Sequence, residues 1–516
     1  GATWRLPALG GYIEILRRQR AELGGGVVVI DAGDMFQGTL ESNMGEGKGI
    51  VELMNAIGYH ASCVGNHEFD FGPVGKRATP IGPGDDPRGA LKARATEAKF
   101  PFLAANIVDA KSGKRVSWPN MPATKVLEVS GVKVGIIGLA TVETPQTTLS
   151  ANVVGLRFEP LKETVVRESK ALRSKGVSVV IVAAHAGGIC AELRNPADLS
   201  SCKDGQEIFE LAESLPAGVV DAIVAGHTHR GVAHYVGGIP VIEQFAHGQY
   251  FGRIDLAVGV KSGKVSASRI FSPQPVCTER RAARCKPFPS YSGQPVEVPE
   301  KLKKIADDWS DKAAELREEK LGVVAATEVP RSRGEESVMG NWVVDLMLEA
   351  RSGDVAITNG GGLRANIDAG PITYGELYRV LPFDNRFAIV KATGAELEAA
   401  IVANLEHDGG ILSFAGLRVS AQCKAGKLEV ELRRPSGKVV GDDEVLRVVT
   451  SDFLATTGRE LVGKGKVTIE DEPTIRDAVA GVLRKRKGTV SAADKNLLDP
   501  ANPRFRYPGE RPVSCK

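Results

Sequence analysis

The chain is 516 residues long, 42% hydrophobic and 25% charged, a balance that belongs to a globular protein of two or three domains and excludes a disordered or fibrous one. Its net charge is +3, with both signs interspersed and no concentrated basic stripe, so a nucleic-acid polymer is not expected as a partner. No apolar run is long enough to cross a bilayer as a helix.

The first residues, Gly1-Ala2-Thr3-Trp4, include neither a Met nor a signal peptide, so Gly1 reads as a boundary within a longer chain and the absence of an export signal is uninformative. Residues 26–30 (Gly-Val-Val-Val-Ile) form a buried strand by composition and end at Asp31-Ala32-Gly33-Asp34. Residues 132–139 and 177–184 repeat the pattern, the second running into His185, and residues 219–225 end at Gly226-His227-Thr228-His229. Apolar runs bounded by polar or Gly-rich turns predict strands covered on both faces, as in α/β sheets. Asp34, His185, His227 and His229 then fall just beyond the carboxyl ends of strands, where open α/β folds place their ligands.

Residues 271–299, rich in Pro, Ser and Arg, read as a boundary. In residues 300–320, Leu302, Ile305, Trp309, Ala313 and Leu316 recur at helical spacing and predict one amphipathic helix connecting two domains. A second α/β unit follows from residue 321, with strands near 355–358 and 445–450.

Seven cysteines are few for this length. Cys190 with Cys202, and Cys277 with Cys285, lie close in loop-like sequence without metal-finger spacing. This predicts two local disulfides in an oxidising compartment, free thiols of a cytosolic enzyme being the alternative. Cys423 and Cys515 are candidates for a third bridge, and Cys63, inside an apolar stretch, for a buried free thiol.

Four segments present hard or borderline metal ligands: Gly33-Asp34, Gly65-Asn66-His67-Glu68-Phe69-Asp70, His185-Ala186-Gly187-Gly188 and Gly226-His227-Thr228-His229. A carboxylate can bridge two divalent ions, imidazoles suit Zn, Mn or Fe, and an amide oxygen completes a shell. Four of the eight histidines lie in these segments. His185 alone reads more readily as a hydrogen-bonded core histidine; the four segments together, in this order, read as a metal centre.

The motifs resemble those of the calcineurin-like metallophosphoesterase superfamily, and within it the 5′-nucleotidase and UDP-sugar hydrolase family. The resemblance implies two divalent metal ions (Zn, Mn or similar) bridged by Asp34. Asn66, His185 and His227 complete one site by this resemblance, and His229 belongs to the other. It also implies that His67 and Asp70 are a catalytic dyad beside the phosphate and not metal ligands. Paired cations activate water and clamp phosphoryl oxygens. A protonated imidazole at position 67, held by Asp70, would stabilise charge on the phosphoryl group or leaving oxygen; capping a local turn is the plainer role for Asp70.

The family also carries an Asp-x-His motif on its first strand, upstream of a Gly-Gly segment resembling Leu9-Gly10-Gly11-Tyr12. No Asp-x-His precedes Asp34 here, so the second metal site is expected to be half-built in this chain.

In the second half, the segment from Arg333 to Asn341 resembles the opening of the family's C-terminal domain, whose Arg contacts phosphate or ribose; Arg331 is close enough to blur that assignment. Asn359-Gly360-Gly361-Gly362-Leu363-Arg364 is a Gly-rich turn with exposed amides, and Arg364 offers a fork suited to phosphate. Leu381-Pro382-Phe383-Asp384-Asn385 and Asp452-Phe453-Leu454-Ala455 match segments whose two aromatics sandwich a nucleobase, a contact worth about 1–3 kcal/mol per base. The family continues into Gly-Gly-Asp-Gly, its Asp on the ribose. This chain reads Thr457-Gly458-Arg459-Glu460, which weakens the nucleoside assignment and leaves phosphate-ester hydrolysis intact.

The expectation is a four-layered α/β/β/α metallophosphoesterase domain over residues 1–298, a helical linker over 299–320 and an α/β specificity domain over 321–516, with the active site between domains. The protein would be a periplasmic or secreted 5′-nucleotidase that releases phosphate from nucleoside 5′-phosphates or cleaves sugar nucleotides. The alternatives are a thiosulfohydrolase or 2′,3′-cyclic phosphodiesterase on the same metal core, or a nucleotide-binding pseudoenzyme with an incomplete metal site.

Overall fold

The apolar runs of the first half become the strands of two sheets. One is a small parallel sheet of β1 (Ile30–Asp31), β2 (Ala61–Cys63) and β3 (Phe102–Leu103), in that order. The other has six strands: β4 (Thr124–Val129), β5 (Val132–Ala140), β6 (Val179–His185), β7 (Ala222–Ala225), β8 (Gly231–Val236) and β9 (Ile239–Gln244), in the order 8-9-7-6-5-4. Its interior pairings are parallel, and β4 and β8 close the edges as antiparallel hairpins. The structure is a computed structural model that describes residues 2–259, 261–279, 285–407, 409–456 and 467–515. Arg459, with its neighbours Thr457, Gly458 and Glu460, lies outside the described residues.

Successive side chains of a strand point to opposite faces. On β6, Val180, Val182 and Ala184 pack with the helices Leu161–Ser174 and Glu207–Ser214, while Ala183 meets Ala61, Cys63 and Leu103 of the small sheet. The opposite side of the small sheet is covered by the helices Ala2–Glu22, Lys48–Ile57 and Gly89–Glu97, through Tyr12, Leu53 and Leu91. The layering is helix, sheet, sheet, helix.

The strand expected over 26–30 pairs only at Ile30 and Asp31. β1 is the edge of its sheet with β2 as its one partner. Just before it, Val29 bonds to His60, donating its N–H to His60 Nδ1 at 3.0 Å and accepting from His60 N at 2.9 Å.

The helix Glu300–Glu318 buries Leu302, Ala306, Trp309 and Ala313. Leu302 and Ala306 join the core of the first half, and Trp309 Nε1 donates to Glu52 at 2.8 Å. Leu316, also at helical spacing, is 39% exposed. The chain divides into two units, Gly1–Ala313 and Ala314–Lys516, so most of this helix belongs to the first.

The second unit holds a five-stranded sheet of β10 (Val355–Asn359), β11 (Arg386–Thr393), β12 (Leu412–Ala415), β13 (Val445–Ser451) and β14 (Val467–Thr474), in the order 12-10-13-11-14. Val355, Ile357, Val390 and Val448 from its central strands lie in one core. Disulfides join Cys190 to Cys202, Cys277 to Cys285 and Cys423 to Cys515, and Cys63 is a buried free thiol.

Candidate functional site

Each candidate ligand in the first unit sits at or just past a strand end: Asp34 after β1, Asn66 after β2, His185 as the last residue of β6, and His227 after β7. Two glycines allow these loops to converge. Gly33 has φ +87°, and a Cβ there would stand 2.8 Å from Gly65 N and 2.9 Å from His185 Nδ1. A Cβ on Gly65 would stand 2.2 Å from Asp34 Oδ1, so no side chain fits at either place. Asp34 and His227 themselves take left-handed backbone, with φ of 60° and 83°, a strain that non-glycine residues carry mostly at functional sites.

Three donor atoms surround one ring nitrogen. His185 Nε2 lies 3.0 Å from Asp34 Oδ2, 3.0 Å from Asn66 Oδ1 and 3.1 Å from His227 Nδ1. The other nitrogen of His185, Nδ1, is 2.7 Å from the Ala32 carbonyl and donates to it, which directs the Nε2 lone pair into the cluster. One proton on Nε2 serves one neighbour, not three, so hydrogen bonds within the cluster cannot satisfy all of its donor atoms. Neighbouring ligands of an octahedral ion at about 2.1 Å stand about 3 Å apart. The donor set of one carboxylate, one amide oxygen and two imidazoles therefore fits a divalent cation.

The charges follow this geometry. Burial pushes the Asp34 carboxyl up, but the imidazoles of His185, His67 and His227 outweigh it and hold the group well below the usual carboxylate range. Burial disfavours a charged His185, yet the Asp34 carboxylate overrides this and lifts the ring to about 9. Burial, with His185 beside it, lowers His227.

The sequence motifs contained two supporting acids to which no role was assigned. Glu68 accepts from Asp34 N at 2.9 Å, Met35 N at 2.6 Å and Gly65 N at 2.6 Å, tying both ligand loops to one buried carboxylate. Burial and the Asp34 charge raise it to about 7. Asp31 accepts from Gly33 N at 2.9 Å and Ser62 Oγ at 3.0 Å, and burial raises it to about 6. Glu243, at the end of β9, bonds to Gly188 N at 3.0 Å and to the Thr228 hydroxyl at 2.7 Å. Its only trace in the sequence is an acid inside an apolar strand.

His67 Nδ1 lies 2.6 Å from Asp70 Oδ2, and the Thr148 hydroxyl donates to Asp70 Oδ1 at 2.8 Å. His67 Nε2 is 4.0 Å from Asp34 Oδ2, next to the cluster but outside its contacts. Asn66 Nδ2 donates to the Thr147 carbonyl at 3.1 Å, which turns Oδ1 toward His185. His229, two residues past His227, also has left-handed backbone, and its ring meets His247 edge-on at 5.5 Å. His247 is a residue that the motifs did not include.

In the second unit, Arg333 and the Gly-rich turn are stitched together. Ile411 N donates to Arg333 O at 2.8 Å, Gly360 N to Ile411 O at 2.7 Å, and Gly362 N to Asn359 O at 3.0 Å. The Arg364 guanidinium stands 5.7 Å from the Phe383 ring centre, and Arg364 N donates to Val380 O at 2.9 Å. Phe383 and Asn385 precede β11, and Phe453 follows β13. Antiparallel pairing of Phe387 with Ser451 places both loops at the same end of the sheet. Both aromatics are half-buried, while Arg333 is exposed.

Residues 5–231 match the family described as calcineurin-like phosphoesterase, and residues 318–462 match the 5′-nucleotidase C-terminal domain. The trifunctional nucleotide phosphoesterase YfkN of Bacillus subtilis (strain 168) is 29% identical over 84% of this chain and 30% of that protein. Protein UshA of Yersinia enterocolitica is 26% identical over 86% of this chain and 80% of its own length. A crystal structure of the 5′-nucleotidase precursor from Thermus thermophilus superposes with TM-score 0.76 over 99% of this chain and 94% of that one, at 23% identity, which shows a shared fold. With residues 5–231 matching the calcineurin-like phosphoesterases and residues 318–462 the 5′-nucleotidase C-terminal domain, the chain belongs to the 5′-nucleotidase family of the calcineurin-like phosphoesterases, which are hydrolases.

Proposed function

We propose that the chain hydrolyses phosphate esters of nucleotides. Asp34, Asn66, His185 and His227 would hold one divalent ion, and His229 with a share of Asp34 would serve a second. The observation that carries this reading is the convergence of three donor atoms at 3.0–3.1 Å around His185 Nε2, with the His67–Asp70 pair beside them. When bound, divalent ions supply water activation and a clamp for phosphoryl oxygens.

The chain's own residues do the rest. Asp70, fixed by Thr148, takes the Nδ1–H of His67 and keeps a proton at Nε2 for the phosphoryl or leaving oxygen. Both side chains are largely shielded from water, which strengthens their charge interaction. In the second unit, Arg333 and Arg364 suit phosphate or ribose, with Asn359 and Asn385 as polar neighbours, and Phe383 and Phe453 suit a base. Two protein ligands hold a cation weakly beside another of like charge, so the second ion should be the more easily lost from this chain. Three disulfides support an oxidising compartment, periplasmic or secreted.

The test is phosphate release by the metal-loaded chain from nucleoside 5′-phosphates, sugar nucleotides and 2′,3′-cyclic nucleotides. Release from the first two, abolished by His185→Ala, is the expected result. Nucleotide binding without turnover of any of them would make the chain a pseudoenzyme and overturn the reading.

A further inference from the structure

Cys190, Cys202 and His234 form a second group of ligand atoms, all within 4.8 Å of one another. The two cysteines face each other across an isolated antiparallel bridge, with Cα atoms 3.9 Å apart. Ala191 N donates to Ser201 O at 3.1 Å and Lys203 N to Ile189 O at 2.8 Å, on either side of the pair. These backbone bonds do not depend on the sulfur–sulfur bond, so the two side chains stay opposite each other when it opens.

His234 lies on β8 and is fully buried. Its Nε2–H donates to the Glu192 carbonyl at 2.9 Å, which leaves Nδ1 as the lone-pair nitrogen. Nδ1 is buried and has no hydrogen-bond partner. An unpaired buried acceptor is a net cost to folding. An apolar residue would fill the strand position, between buried Ala233 and half-buried Tyr235, without that cost.

We propose that Cys190, Cys202 and His234 are a redox-gated site for a soft or borderline ion such as Zn²⁺ or Cu⁺. The disulfide keeps the site closed. A dithiol reductant supplies two electrons: its thiolate attacks one sulfur, the Cys190–Cys202 bond breaks, and the reductant leaves as its own disulfide. The two cysteine thiols then release their protons to water as the ion takes both sulfurs and the His234 nitrogen. A cavity of about 440 Å³ lined by Cys190, Ser201, Cys202, Arg230 and Phe245 gives access and room for a water as fourth ligand. Thiolates and imidazole select Zn or Cu(I), whereas oxygen donors suit Mg, Ca or Mn.

Cobalt(II) tests this, because thiolate ligands give it a sulfur-to-metal charge-transfer band that the oxygen and nitrogen donors around Asp34 do not. The full chain is reduced, desalted without oxygen and titrated with Co²⁺. The expected result is a charge-transfer band saturating at about one equivalent by this ligand count. The band should be absent from oxidised protein and from Cys190→Ser/Cys202→Ser, and its midpoint should weaken about tenfold or more in His234→Ala. Reduction also opens the other two bridges, so Cys202→Ser is examined under oxidising conditions, where those bridges stay closed. There Cys190 and His234 should still give a one-thiolate band that His234→Ala removes. No band in oxidised Cys202→Ser, or one that His234→Ala leaves unchanged, overturns the proposal.

Discussion

The Thr228 hydroxyl stands 2.7 Å from Glu243 Oε1 and 2.8 Å from the Gly188 carbonyl. A hydroxyl has one proton to give, and a carbonyl only accepts. Thr228 is therefore placed to give its proton to either acceptor. Burial raises Glu243 to about 8, against the opposing pull of Gly188 N and the Thr228 hydroxyl. One carboxyl thus ties the loop after His185 to the loop that carries His227 and His229.

This gives a pH dependence with a definite sign. The folded-state value of Glu243, about 8, lies above its ordinary 4.5, so its contribution to stability is complete below about pH 4.5 and is lost as pH rises through about 8. Asp31 and Glu68, raised to about 6 and 7, slope the same way, so the readout is a difference between proteins. In chelated samples Tm should fall across this window, and less steeply in Glu243→Gln, whose amide oxygen can still accept from Thr228. Equal slopes in the two proteins would mean that Glu243 is ionised in the fold.

His67→Asn is expected to lower kcat about a hundredfold or more while leaving bound metal unchanged. The ring stands 4.0 Å from Asp34, outside the 3.0–3.1 Å spacing of the cluster, and its 2.6 Å bond to Asp70 is short. Elemental analysis beside steady-state kinetics checks this. Loss of metal together with activity would make His67 a ligand.

Glu68→Ala would leave the N–H groups of Asp34, Met35 and Gly65 unpaired inside the protein. Each such loss costs about 1–3 kcal/mol, so a large fall in Tm is expected. Divalent-ion affinity, read by titration calorimetry, should drop by about 10–100-fold because Asp34 is no longer positioned. Glu68→Gln should lose less of both, and unchanged affinity in the alanine variant would show that Asp34 holds its place without Glu68.

Phe383→Ala should raise KM for nucleotides far more than for p-nitrophenyl phosphate, since the half-buried ring offers a face to a base and none to a nitrophenyl ester bound through its phosphate. The Arg364 guanidinium over the same ring means that Arg364→Ala should also weaken nucleotides. Equal changes for both substrates would make the aromatic a packing residue.

Much of the candidate cluster was legible in the residues because each candidate motif is local: an apolar run makes a strand, glycines turn it, and the polar group lands at the strand's end. Parallel pairing then aligns Asp34 with Asn66 in one sheet and His185 with His227 in the other, and the packing of the two sheets brings the pairs together. Tertiary contacts decided what surrounds them. Glu243 is 15 residues from Thr228 and 55 from Gly188, and its role follows from bonds to both that no spacing rule encodes. The ring contact of His229 with His247, the alignment of His234 with the Cys190–Cys202 bridge, and the shortness of β1 arise in the same way. Periodicity reports which side chains leave water, but a buried polar atom takes its charge and role from whichever partner the folded chain brings within hydrogen-bond reach.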